Sequence, residues 1–254
     1  MGSLAQTGDK PLESPSNART KDEIRKAIWN YLEQQDLARF PRPVYNRIPN
    51  FVGSGIAAEK IKELREFKEA NVIKVNPDSP QAMVRRIVLE TGRTLLMPTP
   101  RLRGGFLKVD PSQIGRQASR KASSIAGAFR IGEKISLSKL PKIDLIVAGS
   151  VAVSLDGGRV GKGEGYSELE FGILRGRGRV GDQTKIVTTV HDSQIVERVP
   201  VERYDIPVDY ILTPTRAIET RTQIPRPDGI YWDLVSDQML ERMPVLKELR
   251  SFSG

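Results

Sequence analysis

Ile143-Asp144-Leu145-Ile146-Val147-Ala148-Gly149-Ser150-Val151-Ala152-Val153, followed after a turn by Gly158-Arg159-Val160-Gly161-Lys162-Gly163-Glu164-Gly165-Tyr166, is the stretch that decides the fold. Its first half is a near-continuous apolar run, the pattern of a strand covered on both faces. Its second half is a glycine-rich turn that opens a helix, predicted over Tyr166–Arg175. Glycines let a backbone approach an anion closely, and a helix N-terminus offers unpaired N–H groups at the positive end of its dipole. Lys162 adds a point charge. The pattern is neither a Walker A loop nor a dinucleotide fingerprint. By its residues alone it is a phosphate site or, equally, a tight turn that requires small residues.

Outward from this stretch the pattern alternates. Ile24, Ile28, Tyr31 and Leu32 recur at helical spacing and predict a helix over Lys21–Gln35. The proline-rich run from Phe40 to Phe51 predicts an extended loop. A helix is expected over Ile56–Ala70, a strand over Val72–Val75, a helix over Gln81–Glu90, and a strand over Thr94–Met97 that Pro98 and Pro100 stop. Ser112–Ser123 is read as helix, Val151–Ser154 as a further strand, Lys185–Val190 and Val208–Leu212 as strands, and Asp237–Leu249 as a closing helix. Strands alternating with helices predict a Rossmann-like three-layer α/β/α domain with a mainly parallel sheet over residues 19–254. Residues 1–18 are small, polar and proline-containing and read as a flexible tail.

The chain has 254 residues, enough to bury a substantial core. It has no cysteine, which excludes disulfides, thiolate metal sites and cysteine nucleophiles. No apolar run approaches the ~20 residues that span a membrane, and the first residues do not form a signal peptide, so a cytoplasmic location and no membrane partner are expected. The formal charge of +9 points to an anionic partner. It does not choose between a nucleotide, a polyglutamylated cofactor and a nucleic acid.

The sequence resembles the 5-formyltetrahydrofolate cyclo-ligase (methenyltetrahydrofolate synthetase) family. That family carries a strand reading DLIxVPGxAFD and then G-x-R-L-G-x-G-x-G-Y-Y-D, which Asp144 to Glu168 match nearly position for position. Its opening helix bears Lys-x-x-x-Arg, met by Lys21 and Arg25, which share a helix face. Its downstream Q-x-x-x-x-x-P…D-x-x-V-D is met by Gln194, Pro200, Asp205, Val208 and Asp209, so the resemblance runs from about Lys21 to Pro214. Within it, the chain is identified as a member of the divergent methenyltetrahydrofolate-synthase-domain-containing branch. The shared segments include Arg47-Ile48-Pro49-Asn50-Phe51, Pro98-Thr99-Pro100-Arg101-Leu102-Arg103 and Asp209-Tyr210-Ile211-Leu212-Thr213-Pro214-Thr215-Arg216.

The resemblance implies an ATP- and Mg²⁺-dependent ligase acting on a reduced folate or similar pterin. It assigns Lys21, Arg25 and Lys162 to catalysis, and these three with Arg159, Gly161, Gly163, Glu164, Gly165 and Tyr166 to the nucleotide. Glu168 and Asp205 fall on the positions of the two magnesium carboxylates, and a hard cation suits both. Three departures stand out. Ser167 replaces the second tyrosine of the loop, Glu168 is one methylene longer than the family's aspartate, and Asn76-Pro77-Asp78-Ser79-Pro80 aligns no glutamate with the family's folate-binding one. Two other readings stay open: a nucleotide-binding paralogue with another substrate, and an RNA-binding or regulatory protein that reuses the fold.

Minor candidates are weaker. The basic run Arg101, Arg103, Lys108, Arg116, Arg120 and Lys121 follows a predicted strand end and could receive an anionic substrate, or be a solvated face. Arg175-Gly176-Arg177-Gly178-Arg179 is read as a turn after a helix rather than a nucleic-acid segment. His191, the single histidine, stands beside Asp192 as a strand-end residue or an acid–base relay, and Trp29 and Trp232 are read as packing residues.

Overall fold

Thr20 accepts a hydrogen bond from the Glu23 amide and donates its own N–H to the Glu23 carboxylate, a capping box that starts α1 (Lys21–Gln34). The structure, a computed structural model, describes residues 20–251, so the tail read over 1–18 lies outside the described residues. Beyond α1, β1 (Ala38–Arg39) and β2 (Asn50–Phe51) pair across the proline-rich loop. There follow α2 (Ser54–Glu59), α3 (Arg65–Glu69), β3 (Val72–Val75), α4 (Ala82–Glu90) and β4 (Thr94–Pro98). Next come β5 (Phe106–Val109), α5 (Arg116–Ala122), α6 (Ile125–Ile131), β6 (Glu133–Ile135) and β7 (Leu145–Ala148). The glycine stretch spans β8 (Ala152–Ser154), β9 (Arg159–Val160) and the start of α7 (Tyr166–Gly176). The remainder is β10 (Lys185–Thr189), β11 (Ile195–Val196), β12 (Tyr210–Leu212), β13 (Ala217–Glu219), α8 (Asp237–Arg242) and α9 (Pro244–Ser251).

The central sheet runs β13-β12-β10-β7-β3-β4-β5-β6. Its inner run from β12 to β4 is parallel throughout, while β13, β5 and β6 join the edges antiparallel. β7 lies in the middle, and none of its four residues is more than 1% exposed. Side chains alternate across a strand. Leu145 and Val147 therefore join the core that α2, α3 and α4 cover through Ala58, Phe67 and Ile87. Ile146 and Ala148 join the opposite core, with Phe171 and Leu174 of α7 and Leu246 of α9. The three-layer α/β/α architecture is thus observed.

The local expectations need four corrections. The helix expected over Ile56–Ala70 is broken, because Leu64 is extended (φ −66°, ψ 133°) between a 3-10 turn and α3. The closing helix is two helices, since Pro244 lacks the N–H that would continue the ladder. The helix expected from Ser112 begins only at Arg116. Finally, β7 does not feed the glycine loop directly. A separate small sheet, β11-β8-β9, intervenes and carries α1 on a third core of Ile24, Ile28, Val151 and Val160.

From β3 the chain moves to β4 on one side, and from β7 it moves to β10 and β12 on the other. The order therefore reverses between β3 and β7. Open parallel sheets bind ligands in the crevice outside the carboxyl ends at such a point. No described helix is long and apolar enough to cross a membrane.

Candidate active site

The crevice is occupied by a cleft of about 1520 Å³. A single drug-sized ligand fills about 300–1,000 Å³, so there is room for two molecules side by side. The carboxyl ends of β3 and β4 set its floor through Asn76, Asp78 and Thr99, and the glycine loop and α1 form its charged wall.

Gly163 (φ 98°) and Gly165 (φ 71°) hold the loop in the left-handed region, where a Cβ is costly. Gly165 is the N-cap of α7 and has no side chain to cap the first-turn N–H groups. α1 lies against the other end of the loop. Arg25 donates through Nε to the Gly161 carbonyl at 2.7 Å, and a Cβ on Gly163 would stand 3.2 Å from its guanidinium carbon. One turn earlier the Lys21 ammonium binds Asp205 and lies 5.3 Å from the Tyr204 ring centroid. Lys21, Arg25, Lys162 and the loop residues from Gly161 to Tyr166 are thus brought together around one cleft.

The Glu164 carboxylate is paired with the Lys162 ammonium at 2.6 Å, and both residues line the cleft. Arg159 is buried. It donates through one Nη to the Gly149 carbonyl at 2.7 Å and through the other to Glu168, while its Nε has no partner among the described residues. Glu168 in the first turn of α7 and Asp205 beside Tyr204 both line the cleft. Burial pushes the Tyr204 phenol pKa up, and the Asp205, Glu202 and Glu168 charges add to it, which places these groups in one electrostatic neighbourhood. Among the described residues no three His, Cys, Asp or Glu side chains converge on a metal position. Mg²⁺ characteristically takes one or two carboxylates and completes its shell with water and substrate phosphates. The donor set of Glu168 and Asp205 fits that habit.

The floor holds polar groups that the sequence did not single out. Lys74, 2% exposed, binds the carboxylate of Glu170 and the side-chain Oδ1 of Asn76 within the core under the cleft. Asn76 in turn donates to Ser167 Oγ at 3.0 Å, which gives the serine in place of the family's second tyrosine a partner of its own. Arg85 donates to the Asn76, Asp78 and Ser123 carbonyls at 2.8, 2.9 and 2.8 Å, and desolvation lowers its pKa to about 10. Asp78 is the carboxyl at the end of β3 that faces the cleft. Desolvation raises its pKa, against the opposing influence of Lys162, Arg85 and Lys74. Sequence reasoning seeks a glutamate here and passes over the aspartate; its place just past the end of a predicted strand is the signal that could have found it.

Other candidates lie elsewhere. Of the basic run, the side chains of Arg101 and Arg116 lie outside the described residues, and Lys108 and Arg120 pair with Asp110 and Glu90 away from the cleft. Arg175 and Gly176 end α7 and Arg177 to Arg179 form the turn after it, with Arg175 on Asp182 at 2.8 Å. His191 Nδ1 accepts from the Ser193 amide, and Asp192 accepts from Thr213 and Thr215, so the two form no relay. Trp29 donates to the Arg47 carbonyl within the third core, and Trp232 packs on the first.

Residues 17–214 match the model of the 5-formyltetrahydrofolate cyclo-ligase family. The chain is 47% identical over 241 residues to a methenyltetrahydrofolate synthase domain-containing protein of Bos taurus, covering 93% of this chain and 63% of that protein. It is 47% identical over 237 residues to the Homo sapiens counterpart, covering 91% of this chain and 62% of that protein. It thus spans a little under two thirds of the length of these curated relatives. A 5-formyltetrahydrofolate cyclo-ligase of Mycolicibacterium smegmatis is 24% identical over 135 residues, 52% of this chain. The NMR structure of the 5,10-methenyltetrahydrofolate synthetase of Aquifex aeolicus superposes with a TM-score of 0.51 at 21% identity, over 85% of this chain and 99% of that one, a likeness of fold.

Proposed function

Because the chain belongs to the 5-formyltetrahydrofolate cyclo-ligase family, we propose that it is an ATP- and Mg²⁺-dependent ligase that closes 5-formyltetrahydrofolate to 5,10-methenyltetrahydrofolate. The observation that supports this most is the convergence of three cations, a glycine-lined helix N-terminus and two carboxylates on one cleft with room for two ligands. In this reading ATP gives its terminal phosphoryl group to the formyl oxygen and leaves as ADP, N10 closes on the carbon and loses its proton to solvent, and phosphate departs with that oxygen.

The residues position and neutralise. Lys21, Arg25 and Lys162 donate to phosphate oxygens, where charge develops as the phosphoryl group moves. Gly161, Gly163 and Gly165 let the backbone approach, and the first-turn N–H groups of α7 add donors. Glu168 and Asp205 are the carboxylates that would hold magnesium, released as Arg159 and Lys21 turn to the nucleotide. Asp78 offers a carboxyl to the N–H edge of a pterin, and Tyr166 stays with the loop that holds the nucleotide. A cytoplasmic location and one catalytic unit over 19–254 belong to the same proposal.

The test follows methenyl absorbance with 5-formyltetrahydrofolate, ATP and Mg²⁺, with Lys162→Ala as control. Turnover that the variant loses supports the reading. ATP binding without turnover removes the folate and leaves a nucleotide-dependent paralogue acting on another heterocycle. Salt-steep RNA binding indifferent to ATP removes the enzyme.

A further inference from the structure

The family match ends at residue 214, yet the cleft does not: residues 229–243 form one of its walls. The bovine relative aligns over 93% of the chain, more than everything up to residue 214 holds, so that similarity continues into this region. The wall is anchored on two sides. Leu240, Met243, Leu246 and Leu249 are buried in the core of α7, and a Cβ on Gly172 of α7 would stand 2.7 Å from the Gly229 carbonyl oxygen. Towards the other side Asp233 is ion-paired with Arg203, whose guanidinium lies 4.7 Å from the Tyr231 ring centroid. That clasp ties the wall to the loop of Tyr204 and Asp205.

The glycine loop consequently has two chemically different ends. At Gly161 and Gly163 it meets the cation Arg25. At Gly165 it meets the Met239 methyl, 3.7 Å from where a Cβ would stand. Tyr231, Leu234, Val235 and Met239 line the cleft on this side, and the cation contributed by the wall is the exposed Arg242. Leu234 is left 47% exposed on a face that lines a cleft. Phosphates belong beside Arg25, where the loop backbone and the first-turn N–H groups of α7 add donors. An apolar slot with one guanidinium suits a flat ring that carries an anionic tail.

We infer that residues 229–243 are the substrate-selecting wall of this protein: Tyr231, Val235 and Met239 pack on the substrate ring, and Arg242 receives its carboxylate tail. The inference rests on the cyclo-ligase reading of the cleft and adds to it the part of the chain that chooses the acceptor. The nucleotide is left to α1 and the loop.

The experiment uses the full chain and titrates 5-formyltetrahydrofolate and Mg²⁺-ATP separately. Tyr231→Ala with Met239→Ala weakens the folate about tenfold or more, because two apolar side chains no longer pack on the ring, and leaves Mg²⁺-ATP within about twofold. Arg242→Glu, at an exposed position that leaves the core intact, weakens a polyglutamylated folate more than the monoglutamate. Unchanged folate affinity in both folded variants overturns the inference, as does loss of ATP affinity alone. If 5-formyltetrahydrofolate fails to bind the unaltered protein while Mg²⁺-ATP binds, the folate reading falls on its own. The wall is then read with 1-anilinonaphthalene-8-sulfonate, a flat aromatic anion. Severalfold weaker dye binding by the double variant and by Arg242→Glu supports the wall, and equal binding overturns it.

Discussion

The Lys21 ammonium donates to Oδ2 of Asp205, and the Arg159 guanidinium holds Glu168 in the same way. Two cations proposed for the nucleotide thus hold the two carboxylates proposed for the metal. Each sign is neutralised inside the cleft, which matters because an uncompensated buried charge is costly. A magnesium nucleotide brings both signs at once. The pairs can then exchange partners without leaving any group unpaired, so the ground-state ion pairs keep the site ordered for its ligand.

Asp205→Ala tests the exchange. Lys21 loses its carboxylate and remains free for phosphate, while a magnesium ligand is gone. ATP should still bind, with an affinity that no longer responds to Mg²⁺, and turnover should collapse. Calorimetric titration of ATP with and without Mg²⁺ checks this. A variant whose ATP affinity still rises with magnesium places the metal elsewhere.

Lys162→Ala and Gly163→Ala separate charge from backbone shape. Lys162 gives a charge-assisted contact, so its loss should weaken ATP about tenfold, with the melting temperature nearly unchanged because its partner Glu164 is exposed. Gly163 at φ 98° is different, since a Cβ there is strained and faces Arg25 at 3.2 Å. Its alanine variant should lose stability, about 1–2 kcal/mol, as well as ATP affinity. Equal effects of both substitutions on both readouts would contradict this division.

The legible parts of the molecule were those with local periodicity. β7 read as a doubly buried strand because all four residues are apolar, and α1 and α7 read as helices because their apolar residues recur along one face. The loop was legible through glycines whose positive φ values the structure shows. β5 and β6 were not, because Phe106–Val109 and Glu133–Ile135 are short elements placed by pairing with β4 and with each other. The break at Leu64, an extended residue buried in the core, interrupts a stretch whose pattern is helical throughout. Asp78, Lys74 and Glu170 were hidden for another reason. Lys74 and Glu170 are 96 residues apart, and nothing local shows that a strand lysine and a helix glutamate share a floor.

Lys74→Met addresses that floor. The substitution leaves the 4% exposed Glu170 without its cation, and removing one partner of a buried pair costs about 3–5 kcal/mol. Lys74→Met with Glu170→Leu should recover most of the loss, since apolar replacement of both partners removes the uncompensated charge. Urea unfolding of the three proteins decides it. A double variant no better than the single one would show that Asn76 and Ser167 depend on the pair.

Asp78→Asn separates function from stability. Burial raises the Asp78 pKa above its unfolded value near 3.9. Between the two values the folded protein holds a proton that the unfolded chain has released, so stability falls as pH rises. The favourable contribution is complete below the unfolded pKa and is lost as pH passes through the folded one. Asparagine does not ionise, so the variant should match the parent in acid and be as stable or more stable at neutral pH, with a flatter profile. Binding of 5-formyltetrahydrofolate should nevertheless weaken about tenfold, because a carboxyl able to accept from the ring edge is gone. Thermal melts across the acid-to-neutral range, paired with the titration, read both quantities. A neutral-pH loss of stability would make Asp78 a structural partner of Arg85, whose guanidinium already bonds the Asp78 carbonyl at 2.9 Å. Stability kept while substrate affinity falls is the signature of a carboxyl held in the cleft for its ligand.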